Sequence, residues 1–329
     1  MRMTILPYIL QDFNENGVYN NCQDELKIEF TDIIHAAITV GRRNWDDVLY
    51  HGIYSDYEVN FRTSLVQTFL TDNGNSRYLT VSGPYHTLDP SEKGAINYFL
   101  GCTFAHLLTM KLFNINWIMH LDVYQAGLYG PNPVNITMNG ESNRRPDFIG
   151  YDSSNRWAVI EAKGRTQFKR GDLARAKEQT ENLKTINDEE PIFRLAIMSY
   201  LNNNMINIRI SDPPKPNDYA LHLKVNMSQF LRDYYALPFY IVSKGKNSVV
   251  NINGLDFIVL NDPCKIFKVG IEKNLFMVLS KSIEDKEINF HKELESIGYF
   301  SESFQNHLKE IDENNKNCTI GKDGILIAK

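Results

Sequence analysis

The 329-residue sequence has no CxxC pair, and its four cysteines, Cys22, Cys102, Cys264 and Cys318, are far apart. That spacing fits neither a zinc knuckle nor a dithiol redox motif, so reduced and mostly buried thiols are expected. No apolar run approaches the length of a membrane-spanning helix. The apolar stretch before Pro7 and Asp12 is too short for a secretory signal, and the cytoplasm is the expected compartment. No internal repeat or low-complexity tract stands out. A positive balance is missing too: the formal charge is −5, which argues against indiscriminate binding of polyanions. What is present is ordinary for a soluble globular chain, with 43% hydrophobic and 23% charged residues. The charge is unevenly spread, because residues 144–177 hold nine basic side chains against four acidic ones. Most such runs are solvated faces, so their location matters more than their sum.

Periodicity and turn chemistry set out the elements. Residues 24–40 read as a helix. Asp89-Pro90-Ser91-Glu92 reads as an N-cap, a proline at the first helical position and a glutamate at the third, opening a helix to about Phe113 with one apolar stripe. Residues 116–124 are rich in strand formers and lead into a Gly/Pro/Asn loop over 127–140. Residues 146–151 and 156–163 form a predicted hairpin joined by the turn-prone Asp152-Ser153-Ser154-Asn155. A helix over 172–186 and a buried strand over 192–200 follow. The proline-rich stretch 212–216 suggests a linker, giving an expected division into 1–88, 89–211 and 212–329. Beyond it, the pattern suggests helices at 228–235, 283–296 and 301–312, strand-like runs at 249–260 and 266–279, and a last strand at 325–328. The expected fold is α/β with a mixed central sheet in the order helix, three strands, helix, strand, flanked by α+β regions.

In the second hairpin strand, side chains alternate faces, so Glu161 and Lys163 share one. Closing the hairpin brings Asp147 toward Glu161. Two adjacent carboxylates raise each other's pKa unless a cation or proton compensates, and a divalent ion ligated by oxygen is the economical compensation. Pro146-Asp147 and Glu161-Ala162-Lys163, on successive predicted strands inside that element order, resemble the restriction-endonuclease-like PD-(D/E)XK nuclease family over about residues 89–200. The resemblance implies Asp147 and Glu161 as ligands of Mg²⁺, or of Mn²⁺ in its place, with the Ala162 carbonyl as a third ligand. It implies that Lys163 orients or deprotonates the attacking water. Glu92 is a candidate third acid, although a capping box already accounts for it. Gln179 is similar to an extra glutamine of some exonuclease-like branches, while a boundary residue is the simpler reading. Arg145, Arg165, Lys169 and Arg170 are expected to contact phosphates of a nucleic acid, most readily DNA. His120 and Asp122 share a face and are read as a packed histidine and a strand-end acid. A role in restriction or anti-phage defence is what the resemblance implies; the alternative is a nuclease-fold module that binds nucleic acid or protein without cutting. A homo-oligomer or a partner protein is compatible with either reading.

Overall fold

The chain opens with a strand pair where the sequence suggested a helix. In the computed structural model, which describes residues 3–13, 19–40, 44–72, 76–121, 134–137, 145–213, 221–261, 267–285, 287–315 and 318–329, β1 (Thr4–Gln11) pairs antiparallel with β2 (Cys22–Ile28). β2 is an edge strand with polar, exposed side chains, so its helix-like composition loses to ladder pairing. Helix thus begins only at α1 (Phe30–Ile38), followed by α2 (Trp45–His51), α3 (Ile53–Phe69), the short β3 (Leu70–Thr71) and β4 (Thr80–Val81), and α4 (Gly83–His86). α5 (Pro90–Phe113) starts as the sequence indicates. The Asp89 carboxylate accepts from the amides of Ser91 and Glu92, and Glu92 accepts from the amide of Asp89. Asn114, in the left-handed region at φ 57°, ends it.

Next come β5 (Ile115–His120), β6 (Val134–Thr137), β7 (Phe148–Asp152), β8 (Trp157–Arg165), α6 (Arg170–Glu181), β9 (Leu183–Ile186), β10 (Phe193–Asn202), β11 (Met205–Ser211), β12 (Leu221–Val225) and α7 (Met227–Lys244). The loop expected over 127–140 contains β6 and otherwise lies outside the described residues, as does most of the 212–216 linker. The helix expected over 172–186 stops at Glu181, because Leu183 to Ile186 pair with β12. The remaining elements are β13 (Asn247–Ile252), β14 (Leu255–Leu260), β15 (Lys268–Glu272), α8 (Lys273–Glu284), α9 (Phe290–Ser296), α10 (Glu302–Asn314), β16 (Cys318–Ile320) and β17 (Ile325–Ala328). The strand-like run 266–279 is broken in two by Glu272, whose carboxylate accepts from the amides of Asn274 and Leu275 and starts α8.

The protein is a mixed α/β fold around a mixed sheet. That sheet runs β2-β1-β11-β10-β8-β7-β5, with β1 parallel to β11, β10 parallel to β8, and the other neighbours antiparallel. β4 also pairs with β11 and with β3 off this path, and two smaller sheets, β6-β12-β9 and β13-β14-β15-β17-β16, complete the described strands. Helices cover both faces of the central sheet at β8. On one face, Leu173 and Ala176 of α6 pack on Ala196 and Met198 of β10, residues that pair with Glu161 and Lys163 and so point the same way. On the other, the backbone of α5 at Asn97 and Gly101 lies directly against Gly164. A side chain at either glycine would collide with the opposing main chain, so this close approach requires glycine on both elements. β8 is buried on both faces from Trp157 to Ala162, as a strand sandwiched between helices must be.

One cluster of buried apolar side chains extends from Leu6 to Ile327, so the three regions divided in the sequence share a core. Cys102 and Cys318 are buried and Cys22 is exposed; Cys264 lies outside the described residues. Among the described residues no helix is long and apolar enough to cross a membrane.

Candidate active site

Strand offset creates the site. β7 begins at Phe148, opposite Ile160, so β8 runs on past the start of its neighbour. Asp147 sits in the corner this leaves and is fixed from three sides. Its amide donates to Glu161 Oε2 at 2.9 Å, its carboxylate accepts from the Ala162 amide at 2.9 Å, and its carbonyl accepts from the Leu121 amide at 2.9 Å. Gln179 of α6 adds a fourth support two residues upstream, donating to the Arg145 carbonyl at 3.0 Å. The Gln179 side chain is therefore a brace for the segment that delivers Asp147, more than a boundary residue.

Glu161 is 0% exposed. Burial, and secondarily the neighbouring Asp147 carboxylate, push its pKa up to about 8, although Lys163 pulls the other way. The Lys163 ammonium is ion-paired with Glu161 Oε1 and stays partly exposed. Asp147, Glu161 and Lys163 therefore meet on the α6 face. A surface ion-pair cluster on an edge hairpin does not describe this arrangement: β7 and β8 are interior strands, and Glu161 is beneath the surface.

The donor set suits a hard divalent cation. Two carboxylates lie in hydrogen-bonded contact through their backbones, one of them fully desolvated, and a single lysine offsets their charge. The Ala162 amide is turned toward Asp147, and in a strand a residue's N–H and C=O open to the same side, so the Ala162 carbonyl faces the same corner. Two carboxylates and one carbonyl leave room for the waters and substrate oxygens that Mg²⁺ retains. Among the described residues no group of three or more His, Cys, Asp or Glu side chains is arranged to hold a metal, so any ion here would rest on that pair and on backbone.

No family model, curated protein or solved structure matches the chain. Its chemistry must be argued from the corner itself.

The other candidates fall in different places. Glu92 is exposed in the capping box of α5, on the opposite face of the sheet, and among the described residues no hydrogen bond or ion pair joins it to Asp147 or Glu161. Arg165 donates through Nε to Asp172 at 2.7 Å, and this guanidinium holds the Asp172 carboxyl below the usual range. Arg165 is thus engaged in fastening the end of β8 to α6. Lys169 and Arg170 are exposed at the start of α6. Arg145 is half-buried next to Pro146. His120 packs its ring edge-on against Phe148 at 4.9 Å, as a core histidine does; Asp122 lies outside the described residues. Sequence reasoning missed Ser211 and Arg209, which β10 and β11 bring into the rows of Glu161 and Lys163 respectively. No local signal marks them, because register between strands forty residues apart leaves no trace in spacing.

Proposed function

We propose that this protein is a divalent-metal-dependent phosphodiester hydrolase of the restriction-endonuclease-like PD-(D/E)XK kind, acting on DNA. The observation that carries this reading is the interlock of Asp147 and Glu161, each accepting a backbone amide from the other's segment, with Lys163 beside them. The central-sheet succession α5, β5, β7, β8, α6, β10, interrupted by β6 and β9 of a smaller sheet, supports it. Asp147, Glu161 and the Ala162 carbonyl would hold Mg²⁺ or Mn²⁺. Bound there, the ion would lower the pKa of water and offset charge on the phosphate. Lys163 has two tasks open to its ammonium: orienting the attacking water and neutralising negative charge as the leaving oxygen develops. Lys169 and Arg170, exposed at the rim, would track the nucleic-acid backbone with Arg145.

The test is incubation of the full chain with supercoiled, linear, single-stranded and RNA substrates over a Mg²⁺ and Mn²⁺ titration. Asp147→Ala, Glu161→Ala and Lys163→Ala should each abolish cleavage while circular dichroism shows a folded protein. Cleavage by all three at the wild-type rate would refute the site. The non-cleaving alternative draws on one observation, the Lys163–Glu161 ion pair, which partners both charges without a cation. Binding of these substrates by wild type with no turnover in any metal would select it.

A further inference from the structure

A cavity of about 370 Å³ opens on the flank of α6 away from Asp147, walled by β1, β11, α6 and Phe168. Three cationic side chains line it, Arg170, Lys177 and Arg209, against one carboxylate, Asp12. That carboxylate is already engaged, accepting from Lys177 at 2.7 Å and from the Ser211 hydroxyl at 2.6 Å. Arg209 lies with its guanidinium carbon 4.4 Å from the centroid of the Phe168 ring, a stack that fixes the plane of its donors. Its Nη1 donates to Gln11 Oε1 at 3.4 Å, whereas its Nε is buried and has no hydrogen-bond partner among the described residues. Arg170 is exposed and makes no ion pair among them. Surplus positive charge and a buried, idle guanidinium donor are costly unless an acceptor arrives. A rigid fork of N–H groups beside two further cations matches a tetrahedral dianion better than a carboxylate, which needs only one such partner.

We infer that this cavity binds a phosphate monoester. Its volume accommodates a group of that size with part of the molecule that carries it. Met198 pairs with both Lys163 and Arg209 across the sheet. The two cations therefore project from one face two strands apart, about 10 Å by ordinary strand spacing. The phosphate has two sources that share this chemistry: a free small molecule, or the terminal phosphate of a strand whose scissile bond lies at the candidate active site. Only the second source rests on the proposed hydrolysis.

Calorimetric titration in EDTA, at fixed ionic strength, tests the inference. The probes are inorganic phosphate, and a short oligodeoxynucleotide with and without a terminal phosphate. Wild type should bind inorganic phosphate, and Arg209→Gln and Arg170→Gln should each weaken it about tenfold, the loss expected for one charge-assisted contact. Arg170 is exposed, so its replacement leaves the fold intact even where Arg209→Gln disturbs the stack on Phe168. Preference for the phosphorylated oligonucleotide, lost in Arg170→Gln, identifies a strand terminus; equal binding of both oligonucleotides alongside phosphate binding identifies a free small anion. No heat with phosphate in wild type, or unchanged affinity in both variants, overturns the site. Because no metal is present, that failure leaves the hydrolysis proposal standing.

Discussion

Gly94 and Gly101 lie about two turns apart in α5, and replacing each by alanine should have opposite effects. A Cβ at Gly94 meets nothing within 4 Å. Alanine there removes the conformational entropy that glycine loses on folding, a gain of about 0.5–1 kcal/mol. At Gly101 the same atom would lie 2.6 Å from the Gly164 nitrogen, 2.9 Å from its Cα and 3.2 Å from the Lys163 carbonyl carbon. Carbon contacts are comfortable at about 3.5–4.0 Å, so α5 and β8 must part by on the order of 1 Å. Neither neighbour is a flexible side chain that can swing aside. Overpacking of this kind costs about 1–3 kcal/mol, of which helix propensity returns at most about 1. The propensity gain is common to both, so the two variants should differ by the overpacking cost alone, about 1–3 kcal/mol. Urea denaturation followed by circular dichroism measures this directly, with an unchanged m-value showing that stability has changed and not the surface exposed on unfolding. The separation of α5 from β8 also displaces Lys163, so cleavage should fall in Gly101→Ala and not in Gly94→Ala. A Gly101→Ala protein as stable as Gly94→Ala would refute the contact that sets α5 on the back of the site.

Two further expectations follow from one buried and one half-buried polar group. Asp233 is 2% exposed and its carboxyl is pushed up to about 8 by burial, while one oxygen accepts from the Trp45 amide at 2.7 Å. Its folded pKa exceeds its unfolded value, so its contribution to stability is complete below about pH 4 and is lost as pH rises through about 8, with a slope of at most about 1.4 kcal/mol per pH unit. Asp233→Asn keeps an acceptor for Trp45 and should flatten the stability profile between those limits; thermal unfolding across the range that shows parallel wild-type and variant curves would remove Asp233 as the cause. Gln179→Ala deletes one hydrogen bond, worth about 1 kcal/mol of stability, but should raise the Mg²⁺ concentration for half-maximal cleavage, because the segment carrying Asp147 loses its brace. A metal dependence identical to wild type would make Gln179 a structural residue only.

Local chemistry was readable in the sequence and long-range register was not. The cap at Asp89, the hairpin turn at 152–155 and the buried run of β10 are each written in neighbouring residues, and the closeness of Asp147 to Glu161 follows from a short hairpin. Residues 22–28 misled because an edge strand that faces solvent has a helix-like share of Glu, Leu and Lys; its partner β1 imposes the strand. The early end of α6 depends on β12, forty residues later, and the break at Glu272 depends on a side chain that caps a helix inside an unbroken apolar pattern. The parallel pairing of β1 with β11 joins segments about two hundred residues apart. The pairings of β10 with β8 and with β11 place Arg209 and Ser211 in line with Lys163 and Glu161.

His35 of α1 bonds Asp323 at 2.9 Å in a fully enclosed pocket, where the hydroxyls of Tyr235 and Tyr299 also close on the Asp323 carbonyl. The turn before β17 is thus a keystone for a helix completed almost three hundred residues earlier in synthesis. A chain made residue by residue holds α1 without this seat until Asp323 has been added, so the packing around α1 depends on contacts of very long sequence separation. Replacing Asp323 should then be felt as a failure to fold, far from the candidate active site.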